Sequence, residues 1–177
     1  MFELFFQTIL LVLILIPLSL IIWRINTRKF ISSGTVASAY DSWTQDKLLE
    51  RLWGEHIHLG FYPSEKKNID FRKAKVQFVH ELVVWSGLDK LPRGSRILDV
   101  GCGIGGSSRI LAKYYGFNVT GVTISSAQVK RAIELTPSEL NCNFLVMDAL
   151  DLKFEDGTFD GIWSVEAGAH MSNKSIF

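Results

Sequence analysis

The feature that most limits what this chain can fold into is a short apolar run that turns on glycine into a helix. Arg96-Ile-Leu-Asp-Val100 passes directly into Gly101-Cys-Gly-Ile-Gly-Gly106, and the helical composition that follows ends at Tyr115-Gly116. Glycine lets the backbone turn tightly and lets a ligand approach the main chain. The alternation then continues. Residues 118–122 read as a strand, and Ser125-Ser-Ala-Gln128 has the form of a capping box opening a helix that Pro137 stops. Residues 144–147 and 159–165 read as two more strands. Strand–helix–strand order predicts an α/β fold, a parallel sheet with helices on both faces.

Upstream the text is helical. Residues 40–53 predict one helix, 54–63 a loop rich in rings and glycine, and 70–85 a second helix. Phe71, Phe78, Val79, Leu82, Val83 and Trp85 recur at three- and four-residue steps and form its apolar face. Gly87 and Pro92-Arg93-Gly94 mark the break before the sheet. The expected organisation is an anchor over 4–23, a linker over 24–39, a helical lid over 40–93 and an α/β core over 94–177.

Leu4 to Trp23 is twenty residues without a charge, enough at about 1.5 Å per residue to cross a hydrocarbon core of about 30 Å. Arg24, Arg28 and Lys29 follow it and no basic residue precedes it, which predicts a single-pass anchor with the remainder in the cytoplasm. Ala37-Ser-Ala39 offers a cleavage triplet for the rival signal-peptide reading. It lies well past the apolar run, and a basic leading segment is missing.

Nineteen Lys and Arg against eighteen Asp and Glu leave a net charge of +1, so nothing draws this chain to nucleic acid. The two cysteines, Cys102 and Cys142, form no CxxC pair. His56 and His58 have no Cys or acid at ligand spacing, so no metal is expected. Gly101, Gly103 and Gly106 satisfy G-x-G-x-x-G, which raises a dinucleotide site. Asp99 argues against it. A carboxylate two residues before the first glycine repels a pyrophosphate and suits a cationic ligand, such as the ammonium and sulfonium of S-adenosylmethionine. A structural Asp capping the turn is the plain alternative.

The stretch from Ile97 to Ser107 resembles the first motif of class I S-adenosylmethionine methyltransferases. Val36-Ala-Ser-Ala-Tyr-Asp-Ser-Trp43, Trp53-Gly-Glu-His-Ile-His-Leu-Gly60, Gly121-Val-Thr-Ile-Ser125 and Trp163-Ser-Val-Glu-Ala-Gly-Ala-His-Met171 narrow the resemblance to the prenyl-quinol and tocopherol branch, with sterol methyltransferases farther off. The resemblance implies a Rossmann-like sheet, incomplete at the C-terminus because only four strands of an expected seven are readable. A non-catalytic remnant is then one alternative. It implies S-adenosylmethionine as cofactor, with Gly101 and Gly103 against its methionine part and Asp99 at its amino end. Thr123 stands where most relatives carry an acid for the ribose, so Gln128 becomes a candidate donor, or simply the capping partner. Ile124 would pack on the adenine, and Asp148 with Ala149 would read its edge; a turn Asp is the alternative. Glu166 and His170, four apart, would share a helical face, with His170 as the base that deprotonates a quinol and Glu166 orienting it. His58 would help close the site, and Tyr40 less so. The implied partners are a prenylated quinol drawn from the bilayer and the lipid membrane itself, of cyanobacterial type, with a tocopherol or sterol acceptor as the alternative.

Overall fold

The computed structural model describes residues 13, 15–19, 33–64, 68–171 and 174–175. The chain divides into two compact units, Met1–Ile31 and Ser32–Phe177. In the first, residues 15–19 are helical. Most of the predicted anchor lies outside the described residues, and among those described no helix is long and apolar enough to cross a membrane.

The second unit is built on four parallel strands, β1 (Arg96–Val100), β2 (Asn118–Thr123), β3 (Cys142–Val146) and β4 (Gly161–Trp163), in the order β3-β2-β1-β4. β1 pairs with β2 from Arg96↔Asn118 to Val100↔Val122, and with β4 from Ile97↔Gly161 to Asp99↔Trp163. The chain steps outward from β1 to β2 to β3, then crosses to the other side of β1. That reversal makes the β1/β4 boundary the switch point of the sheet, and in open α/β sheets ligands collect beyond the strands' carboxyl ends at such a point.

Three helices pack on one face of this sheet. They are α3 (Phe71–Ser86), α4 (Gly106–Ile110, continued by a π turn over Leu111–Tyr115) and α5 (Ser126–Leu135). Val79 and Val83 of α3 meet Ile97, Val119 and Trp163 on that face, while Ala132 and Val129 of α5 meet Phe144. The opposite face presents Leu98, Val100 and Val122. It is covered by the segment carrying Met147, Ala149, Phe154 and Phe159, not by a helix. The expected helices on both faces are therefore found on one among the described residues. The physical reason is that right-handed crossovers stepping in one direction put both connecting helices on the same side.

Other boundaries shift. β3 lies at Cys142–Val146, two residues earlier at its start than the reading from the sequence, because Val119↔Cys142 and Thr123↔Val146 fix its register. β4 is only Gly161–Trp163, short as edge strands often are. The single helix expected over 40–53 is two, α1 (Ser33–Gln45) and α2 (Leu48–Trp53). Asp46 Oδ1 accepts from the Leu48 N–H at 2.8 Å and Lys47 takes a left-handed φ of 55°, which breaks the helix there. α1 also starts inside the segment read as linker, so the part of 24–39 from Ser33 onward is helical. On α3 the buried face is Ala74, Lys75, Val79 and Val83, while Trp85, assigned to the core from its spacing, is 83% exposed.

α1 and α2 are fastened to α5. Asp41 Oδ1 accepts from Ser125 Oγ at 2.5 Å and from the Ala127 N–H at 3.0 Å, so a carboxylate from α1 sits on the N-terminus of α5. Glu50 of α2 takes both Arg131 Nε and Nη2, at 2.8 and 2.6 Å. The Arg131 fork and the Glu50 carboxylate match in geometry, which makes this pair stronger than a loose surface contact. Asp41→Ala is expected to cost about 1–2 kcal/mol, the value of a lost cap. Hydrogen exchange should then accelerate across residues 33–45 while the sheet stays protected. Unchanged protection of α1 in that variant would show that Asp41 does not hold it.

Candidate active site

The expected site residues gather at the carboxyl edge of the sheet because parallel strands bring their ends to one side. Asp99 lies at the end of β1 and the glycine loop follows it, Thr123 closes β2 ahead of Ile124 and Gln128, Asp148 and Ala149 follow β3, and Glu166 and His170 follow β4.

In the glycine loop Gly101, Gly103 and Gly105 have φ of 77°, 55° and 79°. The positions differ in what faces them. A Cβ at Gly101 would lie 2.4 Å from Ala167 Cβ, so the loop after β4 leans on it. A Cβ at Gly103 would meet no atom within 4 Å. The Gly103 and Ile104 N–H groups have no backbone partner among the described residues. That open backbone is the candidate cradle for a ligand.

Asp99 is 2% exposed and accepts from Ser108 Oγ at 2.6 Å. Burial lifts its carboxyl to about 6, against a partly opposing hydrogen bond from Ser108. Asp99 therefore accepts from a side chain in the first turn of α4 without capping any backbone N–H of that helix, and it is a buried carboxylate beside the glycine loop. At the end of β2, Thr123 Oγ1 donates to Gln128 Oε1 at 2.7 Å, and Gln128 N–H caps on Ser125 Oγ at 3.1 Å. The capping box forms in one direction only. Gln128 spends its oxygen on Thr123, so its amide N–H groups are the donors that remain for a diol. Asp148 Oδ1 accepts from the Leu150 N–H at 2.9 Å, a turn contact, and its other oxygen and the Ala149 N–H have no partner among the described residues.

Glu166 and His170 do not form the expected helical pair. Glu166 takes a left-handed φ of 54° and precedes a 3-10 turn, Ala167–His170, so the four-residue spacing does not stack their side chains. Glu166 Oε1 instead accepts from the Leu59 N–H at 3.0 Å. His170 is exposed and meets the Tyr40 ring edge-on at 5.7 Å between centroids. The lid thus touches the loop after β4 at two points.

The loop 54–60 is held from within. His58 Nδ1 lies 2.7 Å from the Leu59 carbonyl and must donate to it, so a neutral His58 accepts at Nε2 from His56 Nδ1, 3.1 Å away. Burial, then the neighbouring His58, Arg109 and Lys75, push His56 down to about 3; burial also lowers His58. Lys75 is 4% exposed, and its Nζ donates to the Trp53 and His56 carbonyls at 3.2 and 2.7 Å. A Cβ at Gly106 would meet Glu55 O at 2.6 Å and His56 Cε1 at 2.8 Å, so only glycine lets this loop seat on α4. His56, Lys75 and Asp41 are absent from the expected site. Lys75 did leave a signal, a lysine inside the apolar stripe of its helix. Among the described residues no group of His, Cys, Asp and Glu is close enough to hold a metal.

Residues 97–176 match the methyltransferase-domain family. The chain carries a class I methyltransferase-like α/β fold. It is 57% identical over 167 residues to a 2-methyl-6-phytyl-1,4-hydroquinone methyltransferase of Synechocystis, covering 92% of this chain and 52% of that protein. It is 39% identical to the chloroplastic tocopherol O-methyltransferase of Arabidopsis thaliana, covering 73% of this chain and 40% of that one. Among solved structures, a magnesium protoporphyrin IX methyltransferase from Synechocystis with bound SAH superposes with a TM-score of 0.58 at 26% identity, over 78% of this chain and 60% of that one. The chain thus spans about half the length of the curated relatives it matches.

Asp99 and the glycine loop each carry an expected outcome. A raised carboxyl favours the fold below an ordinary carboxyl's 3.8, and that contribution is lost as pH climbs through about 6. Asp99→Asn keeps an acceptor for Ser108 and removes the buried charge. Urea melts should show the ligand-free variant more stable than wild type at pH 8, by up to roughly 3 kcal/mol, and no different below pH 4. Equal stability at pH 8 contradicts the burial penalty. Gly103→Asn, a residue that tolerates the left-handed region, should fold with a loss under about 1 kcal/mol and lose S-adenosylmethionine in calorimetry. Retained affinity would move the ligand away from the cradle.

Proposed function

We propose that this chain is the S-adenosylmethionine-binding half of a methyltransferase acting on a ring carbon of a prenylated benzoquinol, held to a membrane by residues 4–23 with the domain in the cytoplasm. The observation that carries the reading is the glycine cradle open at Gly103 beside the buried carboxylate of Asp99. The identity to the Synechocystis relative, whose name gives a phytylated hydroquinone, supports the acceptor. A prenyl chain dissolves in a bilayer, which gives the apolar segment a purpose.

The residues present fit S-adenosylmethionine. Asp99 offers an anion to its ammonium, and the free Gln128 amide N–H groups suit its ribose hydroxyls. Ile124 is half-buried and presents a surface for the adenine, whose edge meets the free Asp148 oxygen and the Ala149 N–H. Thr123 is indirect in this scheme, holding Gln128 in place. When bound, the cofactor supplies an electrophilic methyl group on a sulfonium. The protein's task is to make the ring carbon nucleophilic. His170, exposed at the carboxyl edge of the sheet, accepts the phenolic proton, and the electron pair left on oxygen raises density at the adjacent ring carbon. The proton on that carbon would then pass to water as the ring regains aromaticity, and the phenolate oxygen would take back the proton held on His170, so His170 ends neutral. Glu166 acts at one remove, holding the lid through Leu59.

The test is a labelled-methyl assay on a panel of prenylated benzoquinols, tocopherols and sterols, with calorimetry on the same protein. Benzoquinol methylation is expected, and His170→Ala should lower turnover by about a hundredfold or more with little change in cofactor affinity. Undiminished turnover removes His170 from the mechanism, and methylation of tocopherol alone reassigns the acceptor. Cofactor binding without transfer leaves a non-catalytic fragment. NADH binding in place of S-adenosylmethionine overturns the reading.

A further inference from the structure

The lid loop is polar on its inner side and apolar on its outer side. Along His56-Ile57-His58-Leu59 the imidazoles are buried, whereas Ile57 is 52% and Leu59 74% exposed. This two-residue alternation sends the aliphatic side chains away from the domain. α2 continues the surface. Leu48 and Leu52 are four residues apart on one side of it, each 55% exposed. Trp53, half exposed, meets the ring of Phe71 at 6.4 Å between centroids. Projecting apolar groups of this size in one stretch of chain mark an interaction surface.

The charges around it are sorted. Glu50 and Glu55, the carboxylates within the stretch, turn to Arg131 and Arg109 and are neutralised there. Asp46 and Asp70 accept from backbone N–H groups of the helices they precede. Lys47, Arg51 and Lys73 remain exposed, with no ion pair to a carboxylate among the described residues. Protruding aliphatic and aromatic side chains beside unpaired cations match the chemistry of an anionic lipid surface, where the apolar groups enter the acyl boundary and the cations meet phosphate.

We propose that the outer face of the lid, formed by α2, residues 57–59 and the start of α3, lies in the headgroup region of an anionic bilayer. This deepens the function proposed above and rests on its bilayer-borne acceptor. It is a contact separate from residues 4–23, and it turns the lid toward the phase that holds a prenylated substrate.

The experiment places an environment-sensitive fluorophore on Leu52→Cys, Ile57→Cys or, as a control, Trp85→Cys in the full chain. Trp85 is exposed at the far end of α3. Each labelled protein is reconstituted into vesicles of phosphatidylcholine alone or with phosphatidylglycerol, so residues 4–23 are embedded in every sample and the probe reports only its own surroundings. The expected result is a blue shift and gain in emission at 52 and 57 with phosphatidylglycerol, and none at 85. Charge reversal at Lys47, Arg51 or Lys73 should weaken that contact roughly fivefold or more per site. Water-like emission at 52 and 57 in both vesicles overturns the proposal, as does an equal response at 85. A shift without vesicles that grows with protein concentration also overturns it, assigning the face to a second copy of the chain. Calorimetry with S-adenosylmethionine on the unlabelled protein separates the two ideas, because a failed lid contact leaves cofactor binding intact.

Discussion

The structure depends on the double pairing of β1. With β2 on one side and β4 on the other, this strand is buried along four of its five residues and its carboxyl end is the one place where the sheet reverses direction. The turn that leaves it cannot follow either neighbour, so it must fold back tightly over the sheet edge. Glycines in left-handed conformations make that turn possible. Asp99, last but one on the strand, is then buried by its two neighbours and by Ser108. Its raised pKa follows from the sheet pairing as much as from any site chemistry.

The second dependence is close approach. Gly106 and Gly121 bring backbone and side chains together where no larger residue fits, Gly106 against the lid loop and Gly121 against Phe144 and Cys102. Once the lid loop sits on Gly106, its imidazoles are cut off from water and stay neutral. A histidine whose pKa falls on folding favours the fold above about 6.5 and loses that contribution as pH drops toward about 3. Asp99 works in the opposite direction, so lid and cradle respond to pH with opposite signs.

Lys75 ties these parts together. A lysine ammonium buried without a carboxylate is costly unless its donors are met. The Trp53 and His56 carbonyls meet two of them, and they belong to the chain just before and within the lid loop. The loop is therefore held by a cation on α3, by a carboxylate after β4 and by Arg109 of α4, which grips Glu55. Elements far apart in sequence converge on the seven residues 54–60 of irregular chain.

What the sequence determined is what local chemistry determines. The alternation of apolar runs with glycine and Pro breaks defined four parallel strands, β1 to the residue, and Ser125 its helix start. The collection of Asp99, Gly103, Gln128, Asp148 and His170 at one edge follows from parallel strand direction. Tertiary structure decided the rest. The break at Lys47 is set by a competing bond from Asp46, a local alternative that helix periodicity does not reveal. The length of β4 and the offset of β3 are matters of pairing register, which belongs to two strands at once. The separation of Glu166 from His170, expected as neighbours on a helix, came from a left-handed residue and a long-range bond to Leu59, 107 residues away. Spacing along the chain fixes a shared face only where the backbone stays regular, and here a contact from the lid decided where the carboxylate went.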